Sequence, residues 1–150
     1  MDNGFIHNAL VPELYCSRFE ESRAFYTETL GFHILFEREE EGFAYMERDG
    51  AQIMIDELTN TTNGSRSWLA GPLDTPFGRG INLTILTEDV DSLYERVKSR
   101  GATLFLEMEE KWYRIKDVYK GNRQFIVQDP DGYLLRFFQD IGTRDDRFSV

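Results

Sequence analysis

The patterning of this 150-residue chain predicts an α+β fold made of two copies of a βαβββ unit. Two matched segments and their shared order carry that expectation. RFEESRAFYTETLGFHILFE can be laid over EDVDSLYERVKSRGATLFLE, with Phe19-Glu20 on Val90-Asp91 and, after one gap, Gly31 on Gly101. Both segments then run six residues from that glycine to a glutamate, Glu37 and Glu107. Further on, FAYMERDG (Phe43 to Gly50) overlays FIVQDPDG (Phe125 to Gly132), residue for residue. Each copy therefore reads as strand, helix, strand and a hairpin-like pair.

The first element is a strand over Ala9 to Cys16, and Pro12 near its start points to a sheet edge. Phe19 to Leu30 is a helix, because Phe19, Ser22, Phe25, Tyr26 and Leu30 recur at helical spacing. Gly31 ends it with a left-handed cap. Phe32 to Arg38 is a strand, followed by an acidic turn, Glu39-Glu40-Glu41-Gly42. Phe43 to Glu47 and Gln52 to Glu57 form a hairpin across Arg48-Asp49-Gly50, where Asp-Gly is the turn signal. Leu58 to Gly80 is a long linker of Thr, Asn, Gly, Ser and Pro with Trp68, Leu69 and Phe77 as apolar anchors. The second copy opens with a strand at Ile81 to Thr87 and a helix at Val90 to Arg100, capped by Asp89 or Glu88 and ended by Gly101. Strands follow at Thr103 to Leu106, Arg123 to Gln128 and Tyr133 to Gln139. Between the first two of these, Glu109 to Asn122 is expected as a second long loop carrying Trp112, Tyr113 and Tyr119, and the polar tail from Gly142 as loosely held.

Length fits one domain over residues 1–150, with module one at about 9–58, a linker at about 59–80 and module two at about 81–140. No apolar run is long enough to span a membrane, and MDNGFIHNALV lacks the basic start and apolar core of a signal peptide. Cys16 is the only cysteine, so no internal disulfide can form, which suits a cytoplasmic location. A net charge of −10 opposes nucleic acid as a partner, since phosphate binding needs clustered Lys and Arg. The same charge permits attraction of cationic ligands and also serves plain solubility.

Strand alternation separates a helix-packed face from an open one. Leu14, Cys16, Ile53, Ile55, Leu83, Ile85, Leu135 and Phe137 fall on the apolar side. Opposite them stand Val11, Glu13, Tyr15, Gln52, Met54, Asp56, Asn82, Thr84, Leu86, Leu134, Arg136 and Phe138. That mixed set suits a cup for a ligand with apolar and polar parts, whereas Leu134, Phe138, Met54 and Tyr15 would be poor choices for open water.

VPELYCSRFEESRAFYTETLGF followed by DPDGYLLRF resembles the glyoxalase/bleomycin-resistance/dioxygenase (vicinal oxygen chelate) superfamily, closest in look to bleomycin-resistance proteins. The resemblance covers Ala9 to Asp140. It implies two βαβββ modules forming a curved mixed sheet around a cup, and a homodimer. It also implies where metal-dependent members hold their ion: a His eight residues before the apolar residue that begins each helix, and a Glu four residues after each final-hairpin glycine. In this chain those positions are Val11, Asn82, Met54 and Arg136. Valine offers no donor, Asn is weak, and a permanently charged Arg repels a cation, so neither metal nor other cofactor is expected. A shifted frame would offer Glu13 and Asp56, but His7 and His33 fit no ligand position. Arg136 needs a carboxylate partner, and Asp56 or Glu13 could serve from neighbouring strands.

The function expected is therefore metal-free sequestration of an aromatic antibiotic of the bleomycin type, whose cationic end the acidic charge would suit. The alternative is a metal-dependent lyase, isomerase or dioxygenase of the same superfamily. The expected ligand-binding residues are Glu13, Tyr15, Asp56, Trp68, Asn82, Thr84, Trp112, Tyr113, Arg136 and Phe138, with flat aromatic walls from the two tryptophans. A tryptophan found shortly before the DPDG-type motif in some relatives is replaced here by Gly121, and Trp112-Tyr113 could substitute for it. No catalytic residue is expected: Cys16 lies on the helix-packed face, away from both histidines.

Overall fold

A computed structural model describes residues 6–58 and 68–145. The chain divides into two compact units, Met1–Phe77 and Gly78–Val150. Each holds one four-stranded mixed sheet, and the two sheets have the same strand order.

In the first unit the elements are β1 (Glu13–Cys16), α1 (Phe19–Ala24), β2 (His33–Arg38), β3 (Phe43–Arg48) and β4 (Ala51–Glu57), and the sheet runs β1-β4-β3-β2. β1 pairs in parallel with β4, and the other pairs are antiparallel. The expected edge position of the first strand holds; Pro12 lies just before β1, whose observed start is Glu13. The single expected helix is α1 continued by a π-helical turn over Phe25–Thr29, closed by a Leu30 N–H to Phe25 carbonyl bond of 3.0 Å. The wide turn leaves Tyr26 and Leu30 fully buried against the sheet. Gly31 then takes φ 81°, a left-handed conformation that a side chain would strain.

In the second unit they are β5 (Asn82–Leu86), α2 (Val90–Ser99), β6 (Thr103–Ile115), β7 (Val118–Gln128) and β8 (Leu134–Arg144), in the order β5-β8-β7-β6. Asp89, rather than Glu88, caps α2 by accepting from the Ser92 N–H at 3.1 Å. Val90, Leu93 and Val97 form the buried stripe of that helix. The two helix starts are also held alike across the sheets. Glu57 at the end of β4 accepts from the Phe19 N–H at 2.8 Å, and Gln139 of β8 accepts from the Val90 N–H at 3.1 Å. Both acceptors stand seven residues after the hairpin glycine, Gly50 or Gly132.

Three expectations need correction. Glu109 to Asn122 is not a loop: β6 and β7 continue through it as a ribbon paired from Glu109↔Gln124 to Ile115↔Val118. Its aromatic and β-branched residues favour strand, and its turn, Lys116-Asp117, lacks the usual glycine although Lys116 carries a φ of 59°. The tail from Gly142 is held at its start, since β8 runs to Arg144 with Tyr119↔Arg144 as a register pair. Residues 146–150, and the part of the linker at 59–67, lie outside the described residues.

The third correction concerns the ungapped overlay of Phe43–Gly50 on Phe125–Gly132. Tyr45 pairs with Met54, four residues after Gly50, while Ile126 pairs with Arg136, four after Gly132. Tyr45 is thus the counterpart of Ile126, and Phe43 that of Gln124. The second turn is one residue longer, being built around Asp129, whose carboxylate accepts from the Asp131 and Tyr133 N–H groups at 2.9 and 3.0 Å. A one-residue slip moves every side chain to the other face. Phe43 therefore shares a row with Asp56, while Phe125 packs on Phe137 in the helix-side core.

No helix among the described residues is long and apolar enough to cross a membrane.

Candidate functional site

In the first unit the parallel register Glu13↔Met54 and Tyr15↔Asp56 puts two carboxyls and a tyrosine on the face opposite Leu14 and Ile55. Trp68 comes over this group. Its ring stacks on Tyr15 with centroids 3.8 Å apart and planes 12° from parallel. The Trp68 backbone N–H donates to the Tyr15 hydroxyl at 3.0 Å, and its indole N–H donates to Asp56. Glu13, Tyr15, Asp56 and Trp68, named from the sequence, are thus brought together.

Electrostatics set these carboxyls apart from surface ones. Burial pushes the Asp56 carboxyl above its ordinary range; the Trp68 N–H and the Arg38 charge pull it down, and Glu41 adds to the rise. Glu13 keeps part of its side chain in water, yet desolvation raises its carboxyl too, helped by Asp56 and opposed by Arg38. Arg38 reaches the pair across the row Arg38–Phe43–Asp56, with its guanidinium 4.2 Å from the Phe43 ring centroid and 2.6 Å from Glu41. Sequence reasoning missed Arg38, although alternation along β2 places it with Phe36 on this face.

The other end of the face is closed by the Ile6–Asn8 segment through Gln52. The Gln52 amide donates to the Ile6 carbonyl at 2.7 Å and to Glu47 at 2.9 Å, and its oxygen accepts from the Asn8 N–H and the Tyr45 hydroxyl. His7 stands edge-on to Tyr45 at 5.8 Å between centroids.

In the second unit Asn82, Thr84 and Leu86 line the exposed face of β5. The registers Asn82↔Leu134, Thr84↔Arg136 and Leu86↔Phe138 put Arg136 and Phe138 on that face with them. Arg136 donates to the Tyr113 hydroxyl at 3.4 Å, and the Gln124 amide donates to the same hydroxyl at 2.7 Å and to Glu109 at 2.8 Å. The Glu109 carboxylate can only accept, which fixes the orientation of the Gln124 amide. The Gln124 oxygen and Arg136 Nε are buried with no hydrogen-bond partner among the described residues. Gln124 and Glu109 were not singled out from the sequence; a glutamine at the head of the apolar run Phe125-Ile126-Val127 was the available signal.

The strands that neighbour Arg136 are not those expected to supply its carboxylate partner, Asp56 or Glu13. The neighbours of β8 are β5 and β7, and both carboxyls stand in the other sheet. Nor does Trp112 share the Tyr113 face, because adjacent strand residues point oppositely. Trp112 is 8% exposed, lies where a Cβ on Gly121 would come within 2.7 Å of its ring, and is covered by the Arg144 guanidinium 4.1 Å from its centroid.

The residues do not fit a metal. Met54 opposite Glu13 and Arg136 opposite Thr84 occupy equivalent register positions, and Val11 and Asn82 each lie two residues before those partners. Aliphatic, thioether, amide and guanidinium groups make no site for a divalent ion. Among the described residues no group of three or more His, Cys, Asp or Glu is arranged to hold one.

Comparison with known proteins agrees with this architecture. The sequence model of the Glyoxalase/Bleomycin resistance protein/Dioxygenase superfamily matches residues 6–137. A bleomycin resistance protein of Geobacillus stearothermophilus is 28% identical over 139 residues, covering 87% of this chain and 96% of that one. The bleomycin resistance protein of Staphylococcus aureus matches equally, at 28% over 139 residues with the same coverage. Among solved structures, TioX from Micromonospora sp. ML1 superposes with a TM-score of 0.68 at 18% identity, over 90% of this chain and 100% of that chain. A glyoxalase/bleomycin resistance protein/dioxygenase from Alicyclobacillus acidocaldarius does so at 0.61 and 17% identity, over 94% and 95%. These two likenesses concern the fold.

Proposed function

This chain belongs to the glyoxalase/bleomycin resistance protein/dioxygenase superfamily, and on that premise we propose that it is a metal-free, single-domain binding protein that sequesters a flat, cationic antibiotic of the bleomycin type. The observation that carries this reading is the first unit's Glu13–Asp56 pair beside the Tyr15–Trp68 stack. Two neighbouring carboxyls, both partly desolvated, gain from a cationic partner, and the aromatic pair offers stacking and cation–π attraction worth about 0.5–2 kcal/mol per contact. The relatives named bleomycin resistance proteins support this ligand class over others.

On the second unit, Asn82, Thr84, Tyr113, Arg136 and Phe138 are proposed as further ligand contacts, with Trp112 bracing the ribbon that carries Tyr113. The working form proposed is a cytoplasmic homodimer. The metal-dependent lyase, isomerase or dioxygenase alternative finds no donor set at Val11, Met54, Asn82 and Arg136.

Calorimetric titration of chelator-treated protein with metal-free bleomycin tests the proposal. Saturation near one ligand per chain with sub-micromolar affinity is the expected result. The absence of heat at several temperatures withdraws the antibiotic assignment.

A further inference from the structure

Tyr15 stands on the face opposite α1, yet it is only 3% exposed, with the Trp68 ring stacked on it. Trp68 itself stays 46% exposed. The indole thus leaves nearly half of its surface in water, and the contacts described for it converge on one small seat. Tyr15 is the floor, with the rings 3.8 Å apart. Asp56, the register partner of Tyr15, accepts from the edge of the indole. The Trp68 main-chain N–H fixes the Tyr15 hydroxyl at 3.0 Å. A flat ring with an N–H on its rim is what this seat recognises, and Trp68 is such a ring.

We propose that the Tyr15–Asp56 seat is a ligand subsite that Trp68 fills in the free protein, and that a flat, cationic N–H heteroaromatic group binds by displacing the indole rather than by stacking on its outer side. The inference rests on the reading of this face as the ligand face and deepens it. The incoming ring repeats the stack on Tyr15 and the N–H bond to Asp56. Its positive charge adds attraction to Glu13 and Asp56 that a neutral indole lacks, and that difference lets the ligand win the exchange. While Trp68 holds the seat, apparent affinity is lowered by the fraction of chains in which it is occupied.

The test uses 2-aminobenzimidazole, a flat N–H-bearing ring that is largely protonated at slightly acidic pH, titrated calorimetrically into the full chain. Trp68→Ala is expected to bind it about tenfold tighter than the unaltered protein. Trp68→Phe, which keeps the stack but not the N–H, is expected to fall between them. In the unaltered protein, saturation is expected to shift the Trp68 indole N–H resonance toward its water-exposed position, a readout that needs no variant.

Weaker or unchanged binding in Trp68→Ala, together with an unmoved indole resonance, overturns displacement. If Glu13→Gln still weakens binding in that case, the face remains the ligand face with Trp68 as a wall. If neither substitution matters, or no binding occurs at all, displacement and the ligand-face reading both fall.

Discussion

Glu13 and Asp56 have surroundings that give opposite signs to two pH effects. Both carboxyls are raised mainly by desolvation. Between the ordinary carboxylate range and their raised values, the folded chain binds more protons than the unfolded one. Their contribution to stability therefore falls as pH rises through that window, and the cost persists above it. Binding of a permanent cation runs the other way, since it needs the ionised forms. Its affinity is expected to climb through the raised values and then level off. Asp56→Asn should flatten both profiles, measured as melting temperature against pH and as calorimetric affinity against pH. A cation affinity that ignores pH across this window would remove the two carboxyls from the ligand's surroundings.

At the level of elements, the β6–β7 ribbon depends on one close approach. Gly121 opposes Trp112 in register, and a Cβ there would come within 2.7 Å of the indole and 2.8 Å of Ile141. The contacted atoms belong to a buried ring and a neighbouring strand, which have little room to yield. Gly121→Ala is expected to destabilise the chain by about 1–3 kcal/mol, the usual cost of overpacking, read from urea unfolding. A variant as stable as the parent would mean that the ribbon breathes enough to absorb a methyl group. The ribbon was hidden in the sequence because a Lys-Asp turn lacks the glycine that marks hairpins. The aromatic and β-branched residues Trp112, Tyr113, Ile115, Val118 and Tyr119 are strand formers, but without a turn signal between them they do not mark two paired strands.

Across the whole molecule, the two modules repeat one register, and this bears on metal binding. Arg136→Glu combined with Asn82→His would place two good donors in the second unit. Val11 and Met54 in the first would stay inert. Such a variant is expected to hold no stoichiometric zinc after equilibrium dialysis, measured by elemental analysis, because a tight site needs several well-placed donors. One zinc per chain would overturn the assignment of these four positions.

The local code of this chain settled the module plan, the helices with their stops at Gly31 and Gly101, and the separation of an apolar from a mixed face. Those features depend on periodicity and turn chemistry within short windows, which a sequence displays directly. Tertiary structure alone decided which side chains meet. The extra residue in the Asp129 turn set Gln124, rather than Phe125, opposite Phe138, and the strand order put Arg136 in one sheet and Asp56 and Glu13 in the other. It also laid Trp68 on Tyr15, brought the Arg38 charge to bear on both carboxyls, and turned Trp112 away from Tyr113 onto Gly121. Register accumulates over every turn and bulge between paired strands, so a single inserted residue changes the partners of a whole strand while leaving its local pattern intact.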